Sequence, residues 1–91
     1  MLNNFKVAET NFYKEKINKP EFQRFYQKIK NIVYTILKIN PYFGKNIKKL
    51  KGDFEGIYRY RIGDIRIFYK IDEENVIIFM IDIEWRKDAY R

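Results

Sequence analysis

From Glu21 to about Ile39 the apolar residues Phe22, Phe25, Tyr26, Ile29, Ile32, Val33, Ile36 and Leu37 recur at the 3.6-residue spacing of a helix with one buried face. Gln23, Arg24, Gln27, Lys28, Lys30, Asn31, Thr35 and Lys38 take the opposite, solvated face. Pro20 suits the first turn of this helix, and Asn40-Pro41 ends it. Ahead of it, Phe5-Lys6-Val7-Ala8 reads as a short strand. Thr10 or Asn11 then caps a short helix that ends near Asn18. A loop through Gly44 leads to Lys48-Lys49-Leu50-Lys51-Gly52, after which the period changes from helical to two.

The stretch from Tyr58 to Tyr69 predicts two strands around a Gly63-Asp64 turn. A two-residue loop sets Ile62 opposite Ile65, Arg61 opposite Arg66, Tyr60 opposite Ile67, Arg59 opposite Phe68 and Tyr58 opposite Tyr69. Because cross-strand partners share a face, one face is apolar and aromatic and the other carries Arg59, Arg61 and Arg66. Two arginines directly opposite each other repel. An anion between them removes the conflict, so the pattern points to a phosphate-binding face.

A turn at Asp72-Glu73-Glu74-Asn75 leads to a third strand, Val76 to Ile83, apolar on both sides as a central strand should be. Pairing Ile71 with Val76 sets Tyr69 against Ile78 and Ile67 against Met80 on the apolar face. It sets Lys70 against Ile77, Phe68 against Phe79 and Arg66 against Ile81 on the arginine face. The helices cover one face, and the other is expected to form a groove with arginine walls. Arg86 and Tyr90, four apart, share one side of a helical turn near the end of that strand.

Composition narrows the class. Nothing in the 91 residues reads as a linker or repeat, so one domain spanning residues 1–91 is expected. There is no cysteine, which excludes a disulfide scaffold and thiol chemistry. No apolar run is long enough to span a bilayer and the start lacks a signal-peptide core, so a soluble cytoplasmic protein without a membrane partner is expected. The net charge of +7 is uneven: residues 1–46 hold nine bases and three acids, residues 47–91 ten and nine. In the second half the acids gather at turns and ends while the arginines sit in strand bodies, leaving a cationic patch. Gly52, Gly56 and Gly63 are turn formers, and no nucleotide-loop motif is present.

The ordered set Asn40-Pro41, Leu50-Lys51-Gly52, Tyr58-Arg59-x-Arg61-x-Gly63-Asp64-x-Arg66-x-x-Tyr69 and Arg86-x-x-x-Tyr90 resembles the RelE/ParE toxins of type II toxin–antitoxin systems. The resemblance covers essentially the whole chain. It implies an α+β domain with an N-terminal strand, two helices, an antiparallel β-meander and a short C-terminal helical turn. For the RelE-like branch it implies an endoribonuclease that cuts mRNA in the A site of the 70S ribosome by 2′-hydroxyl attack, with no metal and no cofactor. It also implies a cognate acidic antitoxin.

Carried over by motif, Arg61, Arg66, Arg86 and Tyr90 are the expected catalytic set. Lys51 and Arg59, with Lys48 and Lys49, are the expected RNA contacts. The groove floor Phe68, Ile77, Phe79 and Ile81 is the expected antitoxin seat. Two departures stand out. Many relatives have histidine just before the terminal arginine, where this chain has Trp85, able to pack at the groove edge or to stack on a base. Some have a glutamate near the position of Lys48, so the general base is open, with Glu84 a candidate by proximity. Two other readings stand beside the nuclease: a ParE-type DNA gyrase inhibitor, and a non-catalytic RNA-binding relative.

Overall fold

Thr10 fixes the first change of direction. Its Oγ1 accepts from the Tyr13 N–H at 3.2 Å, capping α1 (Asn11–Ile17). The same hydroxyl donates to the Met80 carbonyl at 3.0 Å, locking the helix start to the sheet. The computed structural model describes residues 4–86; Tyr90, and with it the helical turn expected from Arg86 to Tyr90, lies outside them. Strand β1 (Lys6–Glu9) precedes α1, as its sequence predicts.

The long helix is interrupted where its periodicity predicts continuity. Pro20 opens α2 (Pro20–Gln23), a turn at Arg24-Phe25 follows, and α3 (Tyr26–Ile29) runs into a π turn (Lys30–Tyr34) before α4 (Thr35–Ile39). A π turn holds an extra residue and so shifts which side faces inward. Val33, Tyr34 and Leu37 are buried, whereas Ile32 and Ile36 are each 41% exposed, against the expectation that they share the core face. The inward turn of Tyr34 has a polar reason. Tyr26 Oη and Tyr34 Oη donate to the same Glu9 oxygen at 2.6 and 2.7 Å. Tyr34 Oη also lies 2.8 Å from Tyr13 Oη; its single proton is committed to Glu9, so Tyr13 is the donor there.

Five strands form one sheet in the order β1-β5-β4-β3-β2. The basic run read as a loop includes a short strand, β2 (Ile47–Lys49), paired antiparallel with β3 (Tyr58–Ile62). Strand β4 (Ile65–Asp72) pairs with β3 in the predicted register, residue for residue. Gly63 has φ +58°, and Val76 is the sole non-glycine residue of positive φ among the described residues. The Gly63-Asp64 loop thus has its left-handed residue first, the pattern of a type II′ hairpin turn.

The pairing of β4 with β5 (Ile77–Trp85) corrects the expected register. Asp72 pairs with Ile77, Ile71 with Ile78 and Tyr69 with Met80. The turn begins one residue later than predicted, because Asp72 accepts from the Asn75 N–H and side-chain amide at 3.1 and 2.9 Å and Val76 takes φ 57°. A shift of one residue on each strand leaves the faces unchanged. A bulge beside Phe68/Tyr69 then shifts the register again: Phe68 meets Asp82, Ile67 meets Ile83, and Arg66 meets Glu84 rather than Ile81. Strand β1 pairs parallel with β5, so β5 is an inner strand flanked on both sides, while the centre of the sheet is β4 rather than β5 as expected.

The core lies between the helices and one sheet face: Tyr13, Ile17, Phe22, Ile29, Val33 and Leu37 meet Tyr60, Ile67, Tyr69, Ile78, Met80 and Ile83. Trp85 belongs to this layer. Its ring stacks on Phe22 at 5.3 Å and meets Phe25 edge-on at 5.8 Å, so it packs against the helix layer. Among the described residues no helix is long and apolar enough to cross a membrane.

The tyrosine–glutamate cluster sets an alkaline limit on stability. Burial and the Glu9 contact push the Tyr26 hydroxyl from 10.0 up to about 12, and burial raises Tyr13 and Tyr34 as well. Above pH 10 the unfolded chain therefore binds fewer protons than the folded one, and stability falls as pH rises through the folded values. The tyrosine cluster's contribution to the urea midpoint should hold from neutral pH to about pH 10 and decline above it. Tyr34→Phe should cost roughly 1–3 kcal/mol near neutrality and make the alkaline decline shallower. An unchanged slope would show that the cluster does not couple to folding.

Candidate anion-binding site

The hairpin places Arg61 and Arg66 side by side on the sheet face away from the helices, and local structure orients them differently. Arg61 is exposed at the end of β3, where its N–H bonds the Asn46 carbonyl at 3.0 Å. Arg66 is only 7% exposed, and its Nη1 donates to the Gly63 and Ile65 carbonyls at 3.1 and 3.3 Å. Those bonds hold the guanidinium against the turn. Arg86 arrives by a third route: its N–H donates to the Asp64 carbonyl at 2.6 Å, tying the end of β5 to the same turn.

These three arginines line one cleft of about 480 Å³, with Lys28, Asn46 and Asp64 as its other polar residues and Tyr60, Ile62 and Ile32 among its walls. Among the described residues, four cations and a single carboxylate line it. In a partly desolvated setting such an excess attracts an anion more strongly than it would in water. Arginine suits this task because its planar donors take phosphate oxygens in pairs.

A second row crosses the same face. Lys48 pairs with Arg59, Arg59 with Phe68, and Phe68 with Asp82. Arg59 Nε is buried and has no hydrogen-bond partner among the described residues. A donor in that state favours an incoming acceptor. Alternation along β2 separates the neighbouring lysines: Lys49 lies on the other face, its Nζ 6.0 Å from the Tyr58 ring centroid. Lys51 is exposed at the start of a 3₁₀ turn (Gly52–Phe54). The cleft thus brings together Arg61, Arg66 and Arg86, the adjoining row adds Arg59 and Lys48, and Lys49 stands apart.

Two acids near this face, Asp82 and Glu84, are occupied. Lys16, from α1, binds Asp82 at 2.8 Å and also binds Glu84. Partial burial works against the Lys16 ammonium, yet its bonds to Asp82 and Glu84 prevail and raise its pKa. Glu84 therefore stands across the strand pair from Arg66 but is held by Lys16. No group of three or more His, Cys, Asp or Glu side chains able to hold a metal occurs among the described residues.

The apolar floor is partly covered. Phe68 is 8% exposed and clusters with Leu50, against which Ile57 and Ile81 pack. Ile77 and Phe79 are half-buried farther along, opposite Asp72 and Lys70. Two contributors escaped the sequence reading. Lys28 sits on a polar helix face that looks solvated when the helix is taken alone, and Lys16 belongs to a short helix with no motif. The signal for Lys28 was available: no acid occurs from Phe22 to Gly52.

Comparison with other proteins bears on the family and the fold. A family profile described as the ParE toxin of type II toxin-antitoxin system, parDE, matches residues 10–90. A search of curated sequences returns no significant match. Among solved structures, the fold is similar to the RelBE2 toxin–antitoxin complex of Mycobacterium tuberculosis at TM-score 0.77 and 20% identity, covering 91% of this chain and 99% of that one. It is similar to the YoeB/ParE toxin of Agrobacterium tumefaciens at 0.70 and 20%, covering 89% and 98%. The E. coli DinJ-YafQ toxin-antitoxin complex matches at 0.72 and 11%, covering 97% and 99%.

Single-stranded RNA serves as a polyanion with which to probe the cationic cleft. Affinity should fall linearly with salt on a log–log scale, and Arg61→Ala should lower that slope by roughly 0.7. Fluorescence anisotropy with a non-cleavable 2′-O-methyl oligonucleotide measures it. An unaltered slope would remove Arg61 from the binding surface.

Proposed function

This chain belongs to the ParE toxin family of type II toxin–antitoxin systems, and we propose that it acts as a ribosome-dependent mRNA endonuclease. The observation that carries the proposal is the convergence of Arg61, Arg66 and Arg86 with Lys28 on one cleft. A phosphodiester seated there meets donors on several sides. The proposed chemistry is attack of a 2′-hydroxyl on the adjacent phosphorus, with expulsion of the 5′-oxygen of the next nucleotide. The reacting phosphate gains negative charge during this step. Fixed guanidiniums stabilise that charge more than the ground state, which is the requirement for catalysis.

Arg66, held by backbone carbonyls, is the proposed preorganised contact, and Arg61 and Arg86 are its exposed flanks. Arg59, Lys48 and Lys51 are proposed to track the RNA backbone beyond the scissile phosphate, with Lys49 outside that track. Tyr90, by family resemblance, is proposed to orient the substrate or assist proton transfer. The cognate partner is proposed to be an acidic antitoxin. Phe68, Ile77, Phe79 and Ile81 are the proposed apolar contacts on the sheet side, with Phe68 reached only at its uncovered edge.

One observation favours a second reading. The matching profile is that of ParE toxins, and the resemblance drawn from the sequence associates that branch with DNA gyrase inhibition. Primer extension on a defined mRNA with purified protein separates the two. Cleavage at the A-site codon only with programmed ribosomes, falling at least about a hundredfold in Arg66→Ala and Tyr90→Ala, is the expected result. Intact mRNA together with inhibition of gyrase supercoiling would overturn the nuclease reading.

A further inference from the structure

Phe43 is 81% exposed, the most exposed large apolar side chain among the described residues, yet the backbone that carries it is tightly held. The Asn40 side-chain oxygen accepts from the Tyr42 and Phe43 N–H groups at 3.0 and 3.3 Å, an Asx turn that sets the direction of the chain. Pro41 is fully buried, and its carbonyl accepts from the Tyr69 hydroxyl at 2.7 Å. The Tyr42 ring meets Phe5 and Tyr58 edge-on at 6.0 and 6.2 Å, and its hydroxyl donates to Glu73 at 2.8 Å. Beyond the ring, the Ile47 N–H closes a turn onto the Gly44 carbonyl at 3.1 Å. Held on both sides, the loop presents the ring to solvent with its backbone entropy already lost in folding, which favours a preorganised contact.

Position and surroundings identify what the ring meets. The chain runs from Phe43 through Gly44 and Lys45 to Asn46, which lines the cleft of Arg61, Arg66 and Arg86. Three residues span at most about 11 Å of extended chain, and the turn at Gly44 shortens that path. Lys45 and Lys48, next along the chain, are both exposed, and the acid bonded to this loop, Glu73, is held by Tyr42. Toward the cleft the ring is thus followed by glycine, lysine and asparagine, which build no apolar socket. A protein hot spot calls for a close-packed pocket with a rim that excludes water. A nucleobase needs only one flat π-face, with cations nearby for the adjoining phosphates. We propose that Phe43 stacks on an unpaired base of a single-stranded RNA whose phosphate occupies the cleft, and so positions the strand beside the arginines. The proposal rests on the reading of the cleft as a phosphate site and adds to it a contact with a base. Every base has a π-face, so Phe43 supplies affinity and strand placement without sequence preference.

Fluorescence anisotropy on the full chain tests this, with a single-stranded 2′-O-methyl oligonucleotide and an abasic strand of the same length. Phe43→Ala should weaken binding of the base-bearing strand about tenfold or more and leave the abasic strand unaffected. The log–log salt slope should keep its wild-type value, because no phosphate contact is lost, in contrast to Arg61→Ala. Phe43→Trp should bind like the wild type, whereas Phe43→Leu, which keeps apolar bulk without a π-face, should not. The position is exposed, and circular dichroism checks that the variants fold. Equal wild-type affinity for the two strands, or a Phe43→Leu protein that binds as the wild type does, overturns the proposal. So does Phe43→Ala that keeps RNA binding but loses gyrase inhibition, which would assign the ring to a protein surface. Wild-type protein that binds neither strand overturns the phosphate-site reading together with the stacking. Ribosome-dependent cleavage is read on the same samples. Base-dependent binding through Phe43 without cleavage would reject the nuclease and uphold the stacking contact.

Discussion

Cross-strand partners in a pleated hairpin share a face, and this constraint organises the molecule. The type II′ geometry at Gly63, with φ +58°, fixes the pairing of β3 with β4. A residue with a Cβ at that position would be strained by about 1–2 kcal/mol, and a slip by one residue would exchange the faces. The apolar partners Tyr60, Ile67 and Tyr69 then belong to the core, and Arg59, Arg61 and Arg66 are gathered on the opposite side. Burial of the core residues, worth roughly 1.5–3 kcal/mol for each large side chain, exceeds the repulsion of Arg61 and Arg66. Fold stability thus holds together a charge cluster that would disperse by itself.

This part was legible in the sequence because it is local: a two-residue turn and strict alternation leave one solution. The β4–β5 pairing was not, because its turn depends on Asp72 capping Asn75 and on a valine in a left-handed conformation, which no pattern announces. The bulge near Phe68 is equally silent, since Ile81 is apolar whether paired or extruded. The helix reading failed for a related reason. Spacing of 3.6 residues accounts for Phe22, Ile29, Val33 and Leu37 but cannot register that Tyr34 turns inward to reach Glu9 and Tyr13. Strand β2, three residues with two lysines, exists because β3 offers it an edge.

The candidate site divides in the same way. Arg61, Arg66 and Arg86 were legible by alternation and motif, and the turn at Gly63-Asp64 gathers them through backbone bonds. Lys28 was not, because its role depends on helix layer and sheet meeting at the end of β3 beyond β2. Trp85 illustrates the converse. Beside Arg86 its sequence position allowed packing at the groove edge or stacking on a base, and the structure packs it against Phe22 and Phe25 of the helix layer.

The carboxylates explain why the proposed chemistry depends on the ribosome. Glu84 is the acid nearest Arg66 along the strand pair, and Lys16 holds it together with Asp82. Freed, the two would neutralise part of the cationic face. Bound, they leave charge stabilisation as the contribution the described residues are best arranged to make. One well-placed donor is worth about 2.7–4 kcal/mol in a transition state. Alignment of a 2′-hydroxyl with the phosphorus and its leaving group is a separate contribution, one that can approach 7–11 kcal/mol when fully supplied. On the proposed function, the described residues of the cleft hold phosphates and do not clamp a base, so they do not impose that alignment by themselves. On the same reading, the decoding site fixes the mRNA, Tyr90 helps to orient it or to move a proton, and the arginines supply the charge.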